Sequence, residues 1–149
     1  MLNIVLYEPE IPQNTGNIAR TCTAIGAKLH IIKPIPFQIN DKQVRRAGLD
    51  YWQYLDLEIH DSFDEFMVKY SEEKLFFCST KAETLYTDIK YPDNAYLLFG
   101  PETRGLPEDL IFSDNGKAIT IPMKDNIRSL NLSNAVAIIA YEVVRQRGI

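Results

Sequence analysis

Three polar stretches carry the residues of this chain best suited to chemistry: 8–17, followed by Arg20; 100–107, with the carboxylate of Glu102; and 122–134, rich in amides and hydroxyls. Together they offer backbone amides and carbonyls, hydroxyls, one guanidinium and one carboxylate. That set suits a ligand held mainly by backbone and carrying no polyphosphate. The common phosphate loops do not fit. Gly100-Pro101-Glu102-Thr103-Arg104-Gly105 has P-loop spacing, but Leu106 follows where a lysine is needed, and Pro101 removes a backbone donor. The segment after the first apolar run, EPEIPQNTG, is not the glycine fingerprint of a dinucleotide site. No Ser/His/Asp or Cys/His nucleophile arrangement is evident, and no Cys/His cluster has the spacing of a metal site. Cys22 and Cys78 each sit in an apolar pattern and are expected to be free buried thiols. His30, inside a strand pattern, and His60, at a strand end, are expected to be structural.

These stretches need rigid elements beneath them. Residues 2–7 (LNIVLY), 29–32 (LHII), 57–59, 75–78 (LFFC), 95–99 (AYLLF) and 117–121 read as strands. Several are continuous apolar runs, the mark of a strand buried on both faces. Between them lie helical patterns. Asn14-Thr15-Gly16-Asn17 can cap a helix bearing Ile18, Cys22 and Ile25, ended by Gly26. Asn40-Asp41 opens a short basic helix to Gly48. Ser62 with Glu65 forms a capping box for a helix through Tyr70. Pro107 starts a short helix through Phe112. A last helix from about Ser133 to Arg147, N-capped by Ser133, carries Val136, Ile139, Ala140, Val143 and Val144 at helical spacing. Strands alternating with helices predict an α/β domain with a mostly parallel six-stranded sheet, and residues 1–149 read as one domain. Ligands of such sheets bind outside the strand C-termini, where the three polar stretches fall.

At 149 residues with 46% hydrophobic and 24% charged residues, the composition is that of a soluble globular domain. No apolar run approaches the ~20 residues of a membrane span. The N-terminus lacks the basic start and small-residue cleavage site of a signal peptide, so a cytoplasmic protein is expected. Charge is uneven. Lys/Arg number six against four Asp/Glu over residues 1–54, five against fourteen over 55–116, and five against two over 117–149. A polyanion, if bound, belongs near the two mildly basic ends.

At this point the motifs carry a resemblance. Asn14-Thr15-Gly16-Asn17 with Arg20, LFGPETRGL over 98–106, and IPM over 121–123 with RSLNLSN over 128–134 are similar to the three motifs of the SPOUT class of RNA methyltransferases. MLNIVLYEPEIPQNTGNIAR, DKQVRRAGLDYW and FGPETRGLP together resemble one family, the tRNA (cytidine/uridine) 2′-O-methyltransferases acting on the wobble nucleotide. The resemblance spans Met1 to about Arg147. Departures are Gln13, where relatives often have a second proline, and the lack of a long C-terminal tail.

The resemblance implies a deep C-terminal trefoil knot, which chain physics would not propose. It also implies a homodimer, S-adenosylmethionine as methyl donor, and tRNA as substrate, methylated at the 2′-oxygen of cytidine or modified uridine 34, with leucine tRNAs expected. No metal and no membrane are involved. Catalytic roles fall to Arg20, with Asn14 and Glu102 ordering the loops around it. Cofactor binding falls to Cys78, Thr80, Gly100, Ile121, Met123, Ser129, Leu130 and Asn131. The first and last helices are expected to form the dimer interface, because Ile18, Cys22, Ile25 and the Val136–Val144 set offer more apolar surface than one sheet face need absorb, with Ile139 a probe position in it. Lys33, Lys42, Arg45, Arg46, Arg145 and Arg147 are candidate phosphate contacts. Three other readings stay open: a 2′-O-methyltransferase acting on another RNA site, a cofactor-free RNA-binding module of the same fold, and a small-molecule enzyme on this core.

Overall fold

The computed structural model describes residues 1–40 and 42–148. Asp41, expected to help start the second helix, lies outside the described residues. The elements in chain order are β1 (Asn3–Tyr7), α1 (Pro12–Ile25), β2 (Lys28–Ile32), α2 (Lys42–Gly48), a 3-10 turn at Leu49–Tyr54, β3 (Asp56–His60), α3 (Phe63–Tyr70), β4 (Leu75–Cys78), a 3-10 turn at Tyr86–Asp88, β5 (Tyr96–Phe99), α4 (Glu108–Ile111), β6 (Gly116–Ile119) and α5 (Leu132–Gln146). The six strands form one sheet in the order β3-β2-β1-β5-β4-β6, with every pairing parallel. All six C-terminal ends therefore lie along one edge, and the direction of winding reverses beside β1 and β5.

The unbroken apolar runs follow from covering both faces. In β1, Ile4 and Leu6 join Leu29, Ile31, Leu97 and Phe99 in a core under α1 and α5. Val5 points the other way, into a core of Phe66, Phe77, Leu98, Leu110 and Ile111 under α3 and α4. A period-2 strand that meets a core on each side has no place for polar residues.

Of the boundaries that differ from expectation, three bear on the loops at this edge. Helix α1 begins at Pro12, with Ile11 at the cap position. Proline suits the first helical turn because its missing N–H would be unpaired there anyway. Strand β6 stops at Ile119, where its partner β4 stops at Cys78, and Thr120 instead bridges Leu85. Helix α5 begins at Leu132 and is capped by Asn131, not Ser133: Asn131 Oδ1 accepts from Ser133 N at 2.9 Å and Asn134 N at 3.3 Å. The Ser62 cap on α3 holds, with Ser62 Oγ accepting from Glu65 N at 3.1 Å.

The dimer argument from apolar excess does not survive. Ile18, Cys22, Val136, Ile139 and Val143 are all absorbed by the core of one copy, and Ile139 is 1% exposed. Apolar surface left on α5 is Ile138, at 38%, and Tyr141, at 50%.

His30 and His60 are structural, in a way that spacing along the chain hides. Neighbouring strands stack their rings at 5.3 Å between centroids, walled by Phe66 and Tyr70. His30 Nε2 lies 3.0 Å from Asn3 Oδ1, so it donates; His30 Nδ1 then accepts from His60 Nε2 at 3.1 Å. One ligand-capable atom each from His30, Glu58 and His60 lies within 4.8 Å of the others. The Glu58 carboxylate is already taken by Lys28 at 2.9 Å, Lys69 at 2.7 Å and the Tyr70 hydroxyl at 2.7 Å.

Burial holds both imidazoles below their ordinary 6.5, with mutual repulsion adding to the effect on His30. A pKa lower folded than unfolded gives stability that is complete above the unfolded value and drains away as pH falls toward the folded one. Denaturant midpoints should therefore decline progressively below about pH 6.5. In His30→Gln that decline should be shallower, measured by urea titration at stepped pH; an identical slope would exclude the pair as its source.

Candidate active site

The loops after β1 and β5 are locked together by two carboxylates. Glu102 accepts from Glu10 N and Ile11 N, both at 2.8 Å, and from Asn14 Nδ2 at 3.1 Å. It thus supplies the anion at the N-terminus of α1, whose first turn has no acidic residue and whose cap residue has no side-chain bond. In return Glu10 Oε1 accepts from Thr103 N at 2.9 Å and Thr103 Oγ1 at 2.8 Å. Those bonds hold the Glu10 carboxyl below its usual range, the backbone N–H of Thr103 contributing most. Glu8 turns the chain out of β1 with φ 49°, a conformation rare for a side-chain-bearing residue, and its carboxylate lies 3.5 Å from Arg104.

Gly100 permits the tight β5 loop. A Cβ there would stand 2.2 Å from Gly105 C and Leu106 N, so no other residue fits. Gly105 closes the turn at φ 70°, where its N–H donates to Pro101 O at 2.9 Å.

Asn14 and Glu102 are therefore brought together as expected. Arg20 is not in contact with them. It lies two turns into α1, exposed, with its guanidinium carbon 4.7 Å from the centre of the Tyr51 ring. The helix starts at Pro12, earlier than expected, so Arg20 stands mid-helix. Thr15 Oγ1, in the same motif, is buried with no hydrogen-bond partner among the described residues.

Of the expected cofactor residues, Cys78, Thr80, Gly100 and Ile121 lie at or just past the C-terminal ends of β4, β5 and β6, while Met123, Ser129, Leu130 and Asn131 lie along the segment between β6 and α5. Cys78 stands in register with Phe99 and Ile119, one residue short of Gly100. Ser79 N donates to Ile119 O at 3.0 Å, tying the start of the Ser79–Thr80 turn to β6. Ile121 and Met123 are half-buried, and Thr80, Ser129 and Leu130 are exposed. Asn131 is engaged in capping α5. Both cysteines are free, and burial pushes the Cys22 thiol up to about 12 and raises that of Cys78 well above the ordinary value. Segment 84–91 closes over this end: Tyr86 N donates to Thr120 O and Thr120 N to Thr84 O, each at 2.9 Å, while Gln146 of α5 donates to Ile89 O at 2.8 Å. Such a set offers apolar walls, free hydroxyls and backbone donors with no phosphate cradle, and it fits an adenosyl group held mostly by main chain.

The chain matches the SpoU rRNA Methylase family over residues 1–141. It belongs to that family. Over 149 residues this methylase is 48% identical to the tRNA (cytidine(34)-2′-O)-methyltransferase of Escherichia coli (strain K12), covering 99% of this chain and 95% of that protein. Its fold superimposes with a TM-score of 0.94, at 45% identity, on a structure described as giving insight into 2′-OH methylation of C/U34 on tRNA, covering 99% and 96% of the two chains. It also matches the SpoU methyltransferase AviRb of Streptomyces viridochromogenes in complex with AdoMet, with a TM-score of 0.86 at 27% identity over 99% of this chain and 58% of that one.

Among the basic candidates, Arg145 is held by Glu142 at 2.8 and 2.9 Å. Lys33 lies 3.9 Å from Asp61, Arg45 sits 5.8 Å from the centre of the Trp52 ring, and Arg147 donates to Asp93 O. Lys42 and Arg46 are exposed. Sequence reasoning missed Glu10, Thr103 and Tyr51. The first two had a signal: two acids spaced at 8 and 10 face an acid, a hydroxyl and a base at 102–104.

Truncating Glu102→Ala leaves two backbone donors and the Asn14 amide without their shared acceptor. The expected cost is about 1–3 kcal/mol, at roughly 2–4 °C per kcal/mol for a domain of this size. Thermal melts read by circular dichroism would show it; an unchanged Tm would mean that water replaces the carboxylate freely.

Proposed function

We propose that this SpoU methylase transfers a methyl group from S-adenosylmethionine to the ribose 2′-hydroxyl of the wobble nucleotide of tRNA, a cytidine or modified uridine at position 34. The observation that carries this reading is near-half identity to a tRNA (cytidine(34)-2′-O)-methyltransferase over 99% of the chain. Leucine tRNAs are the substrates we favour, and the cytoplasm is the compartment. Among the described residues no helix is long and apolar enough to cross a membrane.

The methyl donor carries a sulfonium-bound methyl and so supplies the electrophile. The rest falls to the protein. Cys78, Thr80, Gly100, Ile121, Met123, Ser129 and Leu130 would hold the adenosyl and methionyl parts, with Asn131 fixing where α5 begins. Arg20 is too basic to act as a proton acceptor. It serves instead by gripping the phosphate beside the target ribose and stabilising negative charge as it develops on the 2′-oxygen. Asn14 and Glu102 keep the α1 N-terminus and the β5 loop in one arrangement, which sets where Arg20 stands.

The same reading includes a single SPOUT methyltransferase domain over residues 1–149 whose C-terminal segment is threaded as a deep trefoil knot. Family membership supports it, as does the way segment 84–91 bonds to Thr120 before the chain and to Gln146 after it. It includes a homodimer as well, formed through the exposed Ile138 and Tyr141 of α5. Tyr141→Arg should then yield monomers by sedimentation, while Ile139→Arg should unfold the chain.

Incubation with radiolabelled S-adenosylmethionine and total tRNA, followed by nucleoside mapping, tests the activity. Label should appear as 2′-O-methylated nucleotide 34. Label at another position would redirect the substrate, and no cofactor binding would leave an RNA-binding module. Cofactor at ~100 times its Kd should raise stability by about 2.7 kcal/mol. Arg20→Ala should lower turnover about 10²–10³-fold with cofactor affinity preserved by calorimetry. Equal losses of rate and affinity would place Arg20 in the cofactor site instead.

A further inference from the structure

We infer that Tyr51 is a positioning residue, whose ring holds the Arg20 guanidinium in the orientation it needs for the RNA backbone; this rests on the role of Arg20 proposed above. The guanidinium carbon is 4.7 Å from the Tyr51 ring centre, inside the range where a cation is drawn to an aromatic face. Among the described residues, the Arg20 side chain has no hydrogen bond and no ion pair. The carboxylates of the two clamped loops have other partners: Glu102 holds the start of α1, Glu10 holds Thr103, and Glu8 faces Arg104.

The kind of partner matters. A carboxylate would orient Arg20 by occupying its in-plane N–H donors and cancelling its charge, and a phosphate would then have to displace it. An aromatic face attracts the guanidinium from above its plane. The charge survives, and the planar fork stays free for paired bonds to a phosphate. A long, exposed side chain otherwise spreads over many rotamers, and restricting it before the substrate arrives favours the reactive arrangement.

The ring is itself tethered to the helix that bears Arg20. Tyr51 lies in the 3-10 turn Leu49–Tyr54. The single proton of the Thr23 hydroxyl goes mainly to Ala19 O at 2.9 Å, just before Arg20 in the chain, and the Tyr51 carbonyl, 3.4 Å from the same Oγ1, takes the longer arm of that shared bond. Leu55 N closes the turn onto Trp52 O at 3.1 Å. Tyr51 is 37% exposed, so the pair is accessible to an RNA strand. Its hydroxyl bonds to no described residue, which makes the ring face the working part.

A double-mutant cycle read by single-turnover methylation of saturating tRNA tests this. Tyr51→Leu keeps apolar bulk but has no π face, and its rate should fall roughly 3- to 30-fold. Its melting temperature and cofactor affinity should match the native protein. Tyr51→Phe should stay within about twofold of native, since the ring face is retained. In an Arg20→Ala background, adding Tyr51→Leu should cost nothing more, because the residue it acts through is gone. A native rate in Tyr51→Leu beside an impaired Arg20→Ala would overturn the inference. So would an equal loss in both backgrounds, which would mean that the ring touches RNA independently, or a faster rate, which would mean that it restrains Arg20. A parallel loss of stability or cofactor affinity would reduce Tyr51 to a structural residue. Full activity in Arg20→Ala alone would remove the role of Arg20, and this inference with it, while label at nucleotide 34 would still stand.

Discussion

One carboxylate governs how this site is put together. Glu102 reaches from the β5 loop to the first N–H groups ahead of α1 and to Asn14. A helix N-terminus gathers unpaired donors and partial positive charge, and α1 brings no acid of its own to meet them. The clamp is two-sided, because Glu10 takes the donors of Thr103 in turn. Strands β1 and β5 are adjacent and parallel, with Leu6 opposite Phe99, so their exits already lie side by side. The carboxylates convert that proximity into one rigid edge at the point where the sheet's winding reverses.

Glycine makes the clamp possible. Glu102 can turn toward α1 only because the chain folds back on itself at Gly100, where even a methyl group would overlap Gly105 and Leu106. A similar close approach occurs at Gly16, whose missing side chain lets α2 lie against α1, with Val44 O 2.4 Å from where a Cβ would be. That contact brings the turn after α2, and with it Tyr51, to the flank of α1 that bears Arg20. Arg20 is thus placed by helix packing on one side and by the Glu102 clamp at the helix start.

The rest of the cofactor edge is built differently. Only short strands and few bonds hold it: β6 is four residues long, and beyond it the chain pairs with segment 84–91 rather than with the sheet. Residues 124–131 are exposed before Asn131 caps α5.

Much of this was legible in the residues. Apolar runs such as LFFC and AYLLF determined buried parallel strands, because a strand covered on both faces admits no polar alternation. Gly26, Ser62 and Pro107 marked helix ends through backbone chemistry that operates locally. The motifs at 14–20, 98–106 and 121–134 determined the family. What tertiary structure decided were the contacts between residues remote in sequence. The capping acid of α1 is Glu102, some ninety residues away, so local reading placed the cap at Asn14. The apolar stripes of α1 and α5 could belong to a core or to an interface, and only packing showed that Ile139 is buried within one copy. His30 and His60 looked unrelated because they stand thirty residues apart, yet two strands lay them ring on ring. The partner of Arg20 is an aromatic face on a turn after α2. No spacing rule encodes that pairing, since it depends on how two helices cross at Gly16.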